Sequence, residues 1–314
     1  METKLNYKRT FLIGLAFLSI CSFWQMYDNI IPLILQNTYH LGETMTGAVM
    51  ALDNVLAIFL LPVFGTLSDK VHTKLGRRMP FIVSGTILAV IFMMLLPMID
   101  NAEKARWGTG ESFSNQVIFL AVLFFTLVSM GLYRSPAVAL MPDVTPNHLR
   151  SRANAVINLM GAVGGVYALI MIKVLVGKGE TPDYLPLFAS IAAVMAIAVG
   201  ILVITIRENK LREEVEKAEA ANAGTIEEKA MAEGVEAAGE IEAVGDTGEV
   251  KAFDGKNRQE RRKHQGMPKE VKRSMYFMLA SIFLWFTAYN AVTTAFSRYT
   301  KVVWKMEAEA SPTV

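Results

Sequence analysis

Seven apolar runs, each long enough to cross a hydrocarbon layer, leave this 314-residue chain few ways to fold. A membrane span needs about 20 mostly apolar residues. The runs fall at roughly 11–35, 43–67, 80–99, 117–141, 153–176, 185–206 and 274–297. Inside a bilayer each backbone N–H and C=O must pair within its own segment, so each run is expected to be a helix. The glycines and prolines within them are tolerated there. Charged residues make up 19% of the chain, below the roughly 25% of soluble domains, and they crowd into residues 207–273. The expectation is an all-α, multi-pass membrane protein with one large aqueous loop.

The same composition excludes other classes. A net charge of +2 is too small for a nucleic-acid binder. Cys21 is the single cysteine, so no disulfide framework exists. His40, His72, His148 and His264 show no metal-ligand spacing. No nucleophile–base pair, phosphate loop or zinc motif occurs. The glycine-rich run at 161–165 lies mid-span and follows no strand, so it is not a dinucleotide fingerprint. Neither an enzymatic activity nor a cofactor is expected. The first run follows Lys4, Lys8 and Arg9 but is too long for a signal peptide and lacks a small-x-small cleavage site, so it reads as a retained helix.

Lys and Arg in the short loops orient such a chain. They are enriched before the first run, between the second and third (Lys70, Lys74, Arg77, Arg78) and between the fourth and fifth (Arg150, Arg152). This places the N-terminus and the loop from Arg207 to Arg273 in the cytoplasm. That loop is rich in Ala, Glu, Gly and Lys and cannot bury a core. It reads as a disordered linker with a helical start at 207–222. Its basic end, residues 257–264, reads as a positive flank for the seventh span or as a lipid-binding tract. The expected domains are therefore a six-helix bundle over 1–206, a linker over 207–273, and a seventh helix over 274–314 that begins a second bundle. Six spans, a linker and another span is the layout of a 6+6 carrier, and five further helices are not in this sequence. The chain reads as a fragment or truncated product of such a carrier, whose C-terminal half is its expected partner.

Charge inside a span costs at least about 2.5–3.5 kcal/mol at its centre, so such a residue faces a cavity or a partner. Spans 1, 2 and 4 each carry one: Asp28, Asp53 and Arg134. Spans 3 and 6 carry none over most of their length and are expected to face lipid. At 1.5 Å per residue the two acids lie at similar depth, about 10 and 15 Å from the outer surface, with the arginine lower. Each also has a plain reading: Arg134 snorkelling to the inner surface, Asp53 pinning helices, Asp28 solvated near the mouth. Polar neighbours follow helical spacing. Trp24 with Asp28, Gln25 with Asn29, Asn154 with Asn158, and Asn290 with Thr294 are four apart, and Asn54 adjoins Asp53. Planar amides, carboxylates and aromatic faces suit a sugar, and the same amides suit interhelical hydrogen bonds. Gly161 and Gly165 read as a close-packing stripe.

The loop between spans 2 and 3 carries a further pattern: Gly65, then Ser68-Asp69-Lys70, then Gly76-Arg77-Arg78-Met79-Pro80-Phe81. This resembles the signature loop of the major facilitator superfamily. Together with Tyr133-Arg134-Ser135-Pro136, Met141-Pro142-Asp143 and the run from Trp285 to Tyr299, it is similar to one branch, the sucrose permeases and the glycoside–pentoside–hexuronide:cation symporters. The resemblance implies a secondary active transporter of the plasma membrane that carries a sugar such as sucrose by alternating access. It implies proton coupling through Asp53 or Asp28 near Arg134, with sodium coupling or efflux as alternatives. It also implies a cytoplasmic gate made of Gly65, Asp69, Gly76, Arg77, Arg78 and Asp143. An inactive membrane remnant, or a sugar sensor that signals through its cytoplasmic loop, is the reading from a different class.

Overall fold

The structure is a computed structural model that describes residues 5–71, 73–106, 112–177, 182–217, 219, 272–278, 280–281, 284–285, 287–289 and 292. Six helices dominate it: α1 (Tyr7–Asn37), α2 (Glu43–Lys70), α3 (Met79–Ala105), α4 (Ser112–Asp143), α5 (Arg150–Leu175) and α6 (Leu185–Thr205). All six are long and apolar enough to cross a membrane. Among the described residues the only pairing of strand type is an isolated bridge between Thr73 and Gly76. The six correspond to the first six expected spans.

The described residues fall into two units. Residues 5–219 form the first, and those between 272 and 292 belong to the second. The described residues of the second unit are helical. There the Trp285 and Tyr289 rings stack at 5.9 Å, one helical turn apart. The rest of the expected seventh helix, including Asn290, and the linker beyond 219 lie outside the described residues.

Local chemistry starts and stops the helices. Asn6 caps α1 by accepting the Arg9 N–H on its side-chain oxygen at 3.2 Å. Asp183 accepts the Leu185 N–H at the start of α6 at 2.9 Å. Prolines occupy the first turn of α3 and of α6, where a missing N–H costs nothing. At the end opposite the 71–78 loop, α3 runs on past its apolar stretch, and its charged residues there find partners. Asp100 is fully buried and holds Lys104 at 2.6 Å. Lys104 also donates to the Pro182 carbonyl at 2.7 Å and lies over the Tyr184 ring. Glu103 accepts from Asn115 of α4 at 2.7 Å. Sequence spacing ended span 3 near residue 99, since these partners come from distant segments.

α1 is the central helix. It lies mainly against α5 and α6 and also touches α2 and α4, while α3 lies on α4 and α6. Its crossing with α5 is close. A Cβ on Gly164 would overlap the Leu18 carbonyl, and one on Gly161 would stand 2.9 Å from Cys21 Sγ. Ser22 Oγ spans the crossing, 2.8 Å from both the Leu18 and the Gly164 carbonyl oxygens. Gly164 thus makes the tightest approach to α1 and joins the expected stripe of Gly161 and Gly165, the latter at ordinary contact distance from Gln25 of α1. α2 packs chiefly on α4 and is the most open helix, with only Thr46, Met50 and Ser68 buried. Its Val55, Ile58, Phe59 and Val63 project outward and need hydrocarbon or protein against them.

Replacing Gly164 with alanine should therefore destabilise the bundle by about 1–3 kcal/mol through overpacking. Gly200→Ala, where an added methyl meets nothing, should change stability by less than about 0.5 kcal/mol. Thermal unfolding of the detergent-solubilised protein compares the two, and equal midpoints would contradict the close α1–α5 crossing.

Candidate functional site

Two constellations emerge, one in the bundle interior and one at the 71–78 loop. In the interior, Trp24 of α1, Asp53 and Asn54 of α2, and Arg134 of α4 line one cavity of about 40 Å³, with Leu56, Leu60 and Gly131 among its apolar walls. The Arg134 guanidinium lies over the Trp24 ring at 5.5 Å, within the range of a cation–π contact. It makes no hydrogen bond or ion pair with any described residue. The indole N–H of Trp24 is buried and has no acceptor among the described residues. Asp53 accepts from its neighbour, with Asn54 N at 2.6 Å and Asn54 Nδ2 at 2.9 Å. Among the described residues Asp53 and Arg134 do not approach to ion-pair distance, although each lies in the other's field. The cavity holds a few waters and is far below the roughly 300–1,000 Å³ of an enclosing ligand pocket.

The other interior candidates are distributed differently. Asp28 is half-buried and within electrostatic reach of Asp53, but it does not line the cavity. Gln25 turns toward α5, where its side-chain oxygen is 3.8 Å from the position of a Cβ on Gly165. Its carbonyl accepts from Asn29 at 2.7 Å. Asn154 and Asn158 lie on the exposed face of α5, away from the buried row Ala153, Ile157 and Met160. Spacing put the two asparagines on one stripe with Gly161, but α1 takes up the neighbouring face. Tyr27, one turn from Trp24, was not singled out by the sequence. Its hydroxyl is buried without a partner among the described residues and lies in the field of Asp53 and Asp28.

The loop brings its expected residues together. Gly76 has φ of +125°, a region that L side chains avoid. It turns the chain over Thr73, whose hydroxyl donates to the Gly76 carbonyl at 2.6 Å. The Arg78 side chain is 6% exposed and uses its whole fork: Asp69 at 2.5 Å, Asp143 at 2.9 Å, Ser68 Oγ at 2.5 Å and the Gly65 carbonyl at 3.3 Å. Arg77 adds Asp143 at 2.8 Å and Asp69 at 3.8 Å. Burial alone would lower the Arg77 guanidinium, but the hydrogen bond and charge of Asp143, with Asp69 and Glu208, hold it above its ordinary value. A planar fork with several donors meets this geometry; a lysine could not. These ion pairs close within one bundle, joining the end of α2, the start of α3 and the end of α4.

Glu208 completes this network and was missed. Its carboxylate accepts the backbone N–H groups of Arg77, Arg78 and Met79 at 2.9–3.1 Å, and the residue is 1% exposed. It stands at the N-terminal end of α3, where free N–H groups and the helix dipole favour an anion. Residues 208–217 are helical and fold back on the bundle, with Leu211 and Val215 buried and Asn209 Nδ2 donating to the Thr73 carbonyl at 3.1 Å. The expected helical start of the linker is therefore part of the bundle's end rather than of the loop.

A family model described as the Major Facilitator Superfamily matches residues 12–311. Among curated proteins, the sucrose transport protein SUT3 of Oryza sativa subsp. japonica is 26% identical over 137 residues, 41% of this chain and 27% of that protein. The sucrose transport protein SUC4 of Arabidopsis thaliana is 34% identical over 116 residues, 35% of this chain and 22% of that protein. The matched stretch thus spans about a quarter of the length of these relatives.

Glu208→Ala strips three buried N–H groups of their acceptor and should cost about 1–3 kcal/mol, with Glu208→Gln costing less because an amide oxygen remains. The thermal midpoint of the purified protein orders the three. A wild-type midpoint for Glu208→Ala would remove Glu208 from the network.

Proposed function

Because the chain belongs to the Major Facilitator Superfamily, we propose that it handles substrate and proton in a secondary active transporter that takes up a sugar or glycoside, sucrose being the nearest class, by proton symport. The observation that carries this reading is the set of unsatisfied donors around one cavity. Among the described residues the Arg134 guanidinium has no hydrogen-bond partner and the Trp24 indole N–H no acceptor, and such unpaired donors are costly in a bilayer interior. They are complementary to sugar hydroxyls, which accept from both, while the indole face suits the C–H surface of a pyranose. The names of the relatives, sucrose transport proteins, support the substrate class.

Asp53 is the coupling group in this reading. As a carboxylate it attracts Arg134 across the cavity and accepts a sugar hydroxyl. Once protonated it releases the arginine, so substrate and proton bind in a coupled way. Asp28 is the second carboxylate in the same field. The proton is the coupling ion and no resident cofactor is needed. The 71–78 end, with its excess of Lys and Arg, faces the cytoplasm of a plasma-membrane carrier. There the Asp69–Arg77–Arg78–Asp143–Glu208 network holds α2, α3 and α4 in one of the alternating states.

The complete protein, reconstituted in proteoliposomes, should take up labelled sucrose or a related glycoside faster under an inward proton gradient. Asp53→Asn should abolish that acceleration, and Arg134→Gln should raise KM by about tenfold or more, the equivalent of one lost charge-assisted hydrogen bond. Uptake driven by sodium alone, or no glycoside uptake at all, would overturn the proposal.

A further inference from the structure

We infer that Tyr133 and Ser135, which flank Arg134 in sequence, are positioning residues that fix the rotation of α4 and so hold the Arg134 guanidinium over Trp24. The inference rests on the transport reading only for its consequence on uptake. Successive residues of a helix point about 100° apart, so residues 133, 134 and 135 sweep three directions around α4. Tyr133 points at α1. It is fully buried, its hydroxyl 2.6 Å from Ser19 Oγ and 3.1 Å from the Ala16 carbonyl oxygen. Its backbone rests on α3 at Gly85, where a Cβ would stand 2.7 Å from Tyr133 N. Ser135 points at α2 and donates to the Leu61 carbonyl at 2.9 Å. Arg134, between them, is left facing the cavity.

These tethers sit where α4 is least able to hold itself. Pro136 lies inside the helix and has no N–H, so the Leu132 carbonyl lacks its usual partner four residues on. A helix interrupted there can bend or turn. Fixed to α1 on one side and α2 on the other, it keeps one azimuth. The guanidinium makes no hydrogen bond or ion pair of its own with the described residues, so its place depends on the backbone that carries it. Without the tethers it would move toward an acidic partner or the inner surface and leave the substrate donors disarranged.

Cys21, the single cysteine of the chain, provides a readout independent of sugar. It is partly exposed on α1 and lies in the field of Arg134. In the full chain in membranes, the rate of Cys21 modification by an anionic methanethiosulfonate relative to a cationic one reports the local positive potential. Arg134→Gln should lower that ratio by about tenfold, and Tyr133→Phe and Ser19→Ala each by about threefold or more. The Ser19→Ala/Tyr133→Phe pair should lower it no further than Tyr133→Phe alone, because that change already removes the hydrogen bond to Ser19 as well as the one to the Ala16 carbonyl. Ser135→Ala should lower it as well. In uptake assays these variants should raise KM more than they lower kcat. A ratio unchanged in Tyr133→Phe and Ser135→Ala, while Arg134→Gln lowers it, would reduce both residues to packing and overturn the inference. A ratio insensitive to Arg134→Gln, or a Cys21 that reacts with neither reagent, would overturn it too. The expected ratios in a chain that takes up no sugar would refute the transport reading alone.

Discussion

The close crossing of α1 with α5, together with the hydrogen bonds that tie α1 to Tyr133 of α4, is the interaction on which the rest of the bundle depends. In lipid the hydrophobic effect does not drive helices together; close packing and interhelical hydrogen bonds do. α1 supplies both. Ser22 and the Leu18 carbonyl meet Gly164 without an intervening side chain, and Ser19 and the Ala16 carbonyl meet the Tyr133 hydroxyl. Two serines one turn apart thus anchor two different helices. Trp24 follows on the same helix, and its place against Arg134 results from these anchors.

A separate device secures the loop end. α3 begins without a capping side chain of its own, and Glu208, more than a hundred residues later, supplies the missing acceptor. Arg77 and Arg78 then neutralise Asp69 and Asp143. Buried ion pairs add little net stability compared with apolar packing, but breaking one partner from such a set is costly. The network therefore acts as a lock on geometry more than as a source of stability. Gly76 is needed in it twice, once for its positive φ and once because a Cβ would collide with the Glu208 carboxylate.

Much of this was legible in the sequence, for physical reasons that differ by residue. The six helices follow from run length alone, because hydrocarbon admits no other backbone solution. Asp53, Arg134 and Trp24 were legible because charge in an apolar run is expensive and must have a use. The members of the loop were legible because Gly76, Arg77 and Arg78 are an unusual density of special residues. What spacing could not give was azimuth. Asn154 and Asn158 share a stripe, yet it is the open one; Gln25 turns to α5; and Gly164 makes a tighter approach to α1 than Gly165. Glu208 was hidden for another reason: its partners are backbone N–H groups, which leave no mark in a sequence.

The two constellations share their helices. Asp53 and Asp69 both stand on α2, about 24 Å apart at 1.5 Å per residue, while Arg134 and Asp143 both stand on α4, about 14 Å apart. Between these levels Ser135 of α4 bonds the Leu61 carbonyl of α2, one turn before Gly65, whose carbonyl accepts from Arg78. Pro136 of α4 and Pro62 of α2 interrupt both helices between the two levels, so it is the Ser135–Leu61 bond across that interruption that would carry a change in the charge balance between Asp53 and Arg134 toward the ion pairs of the loop.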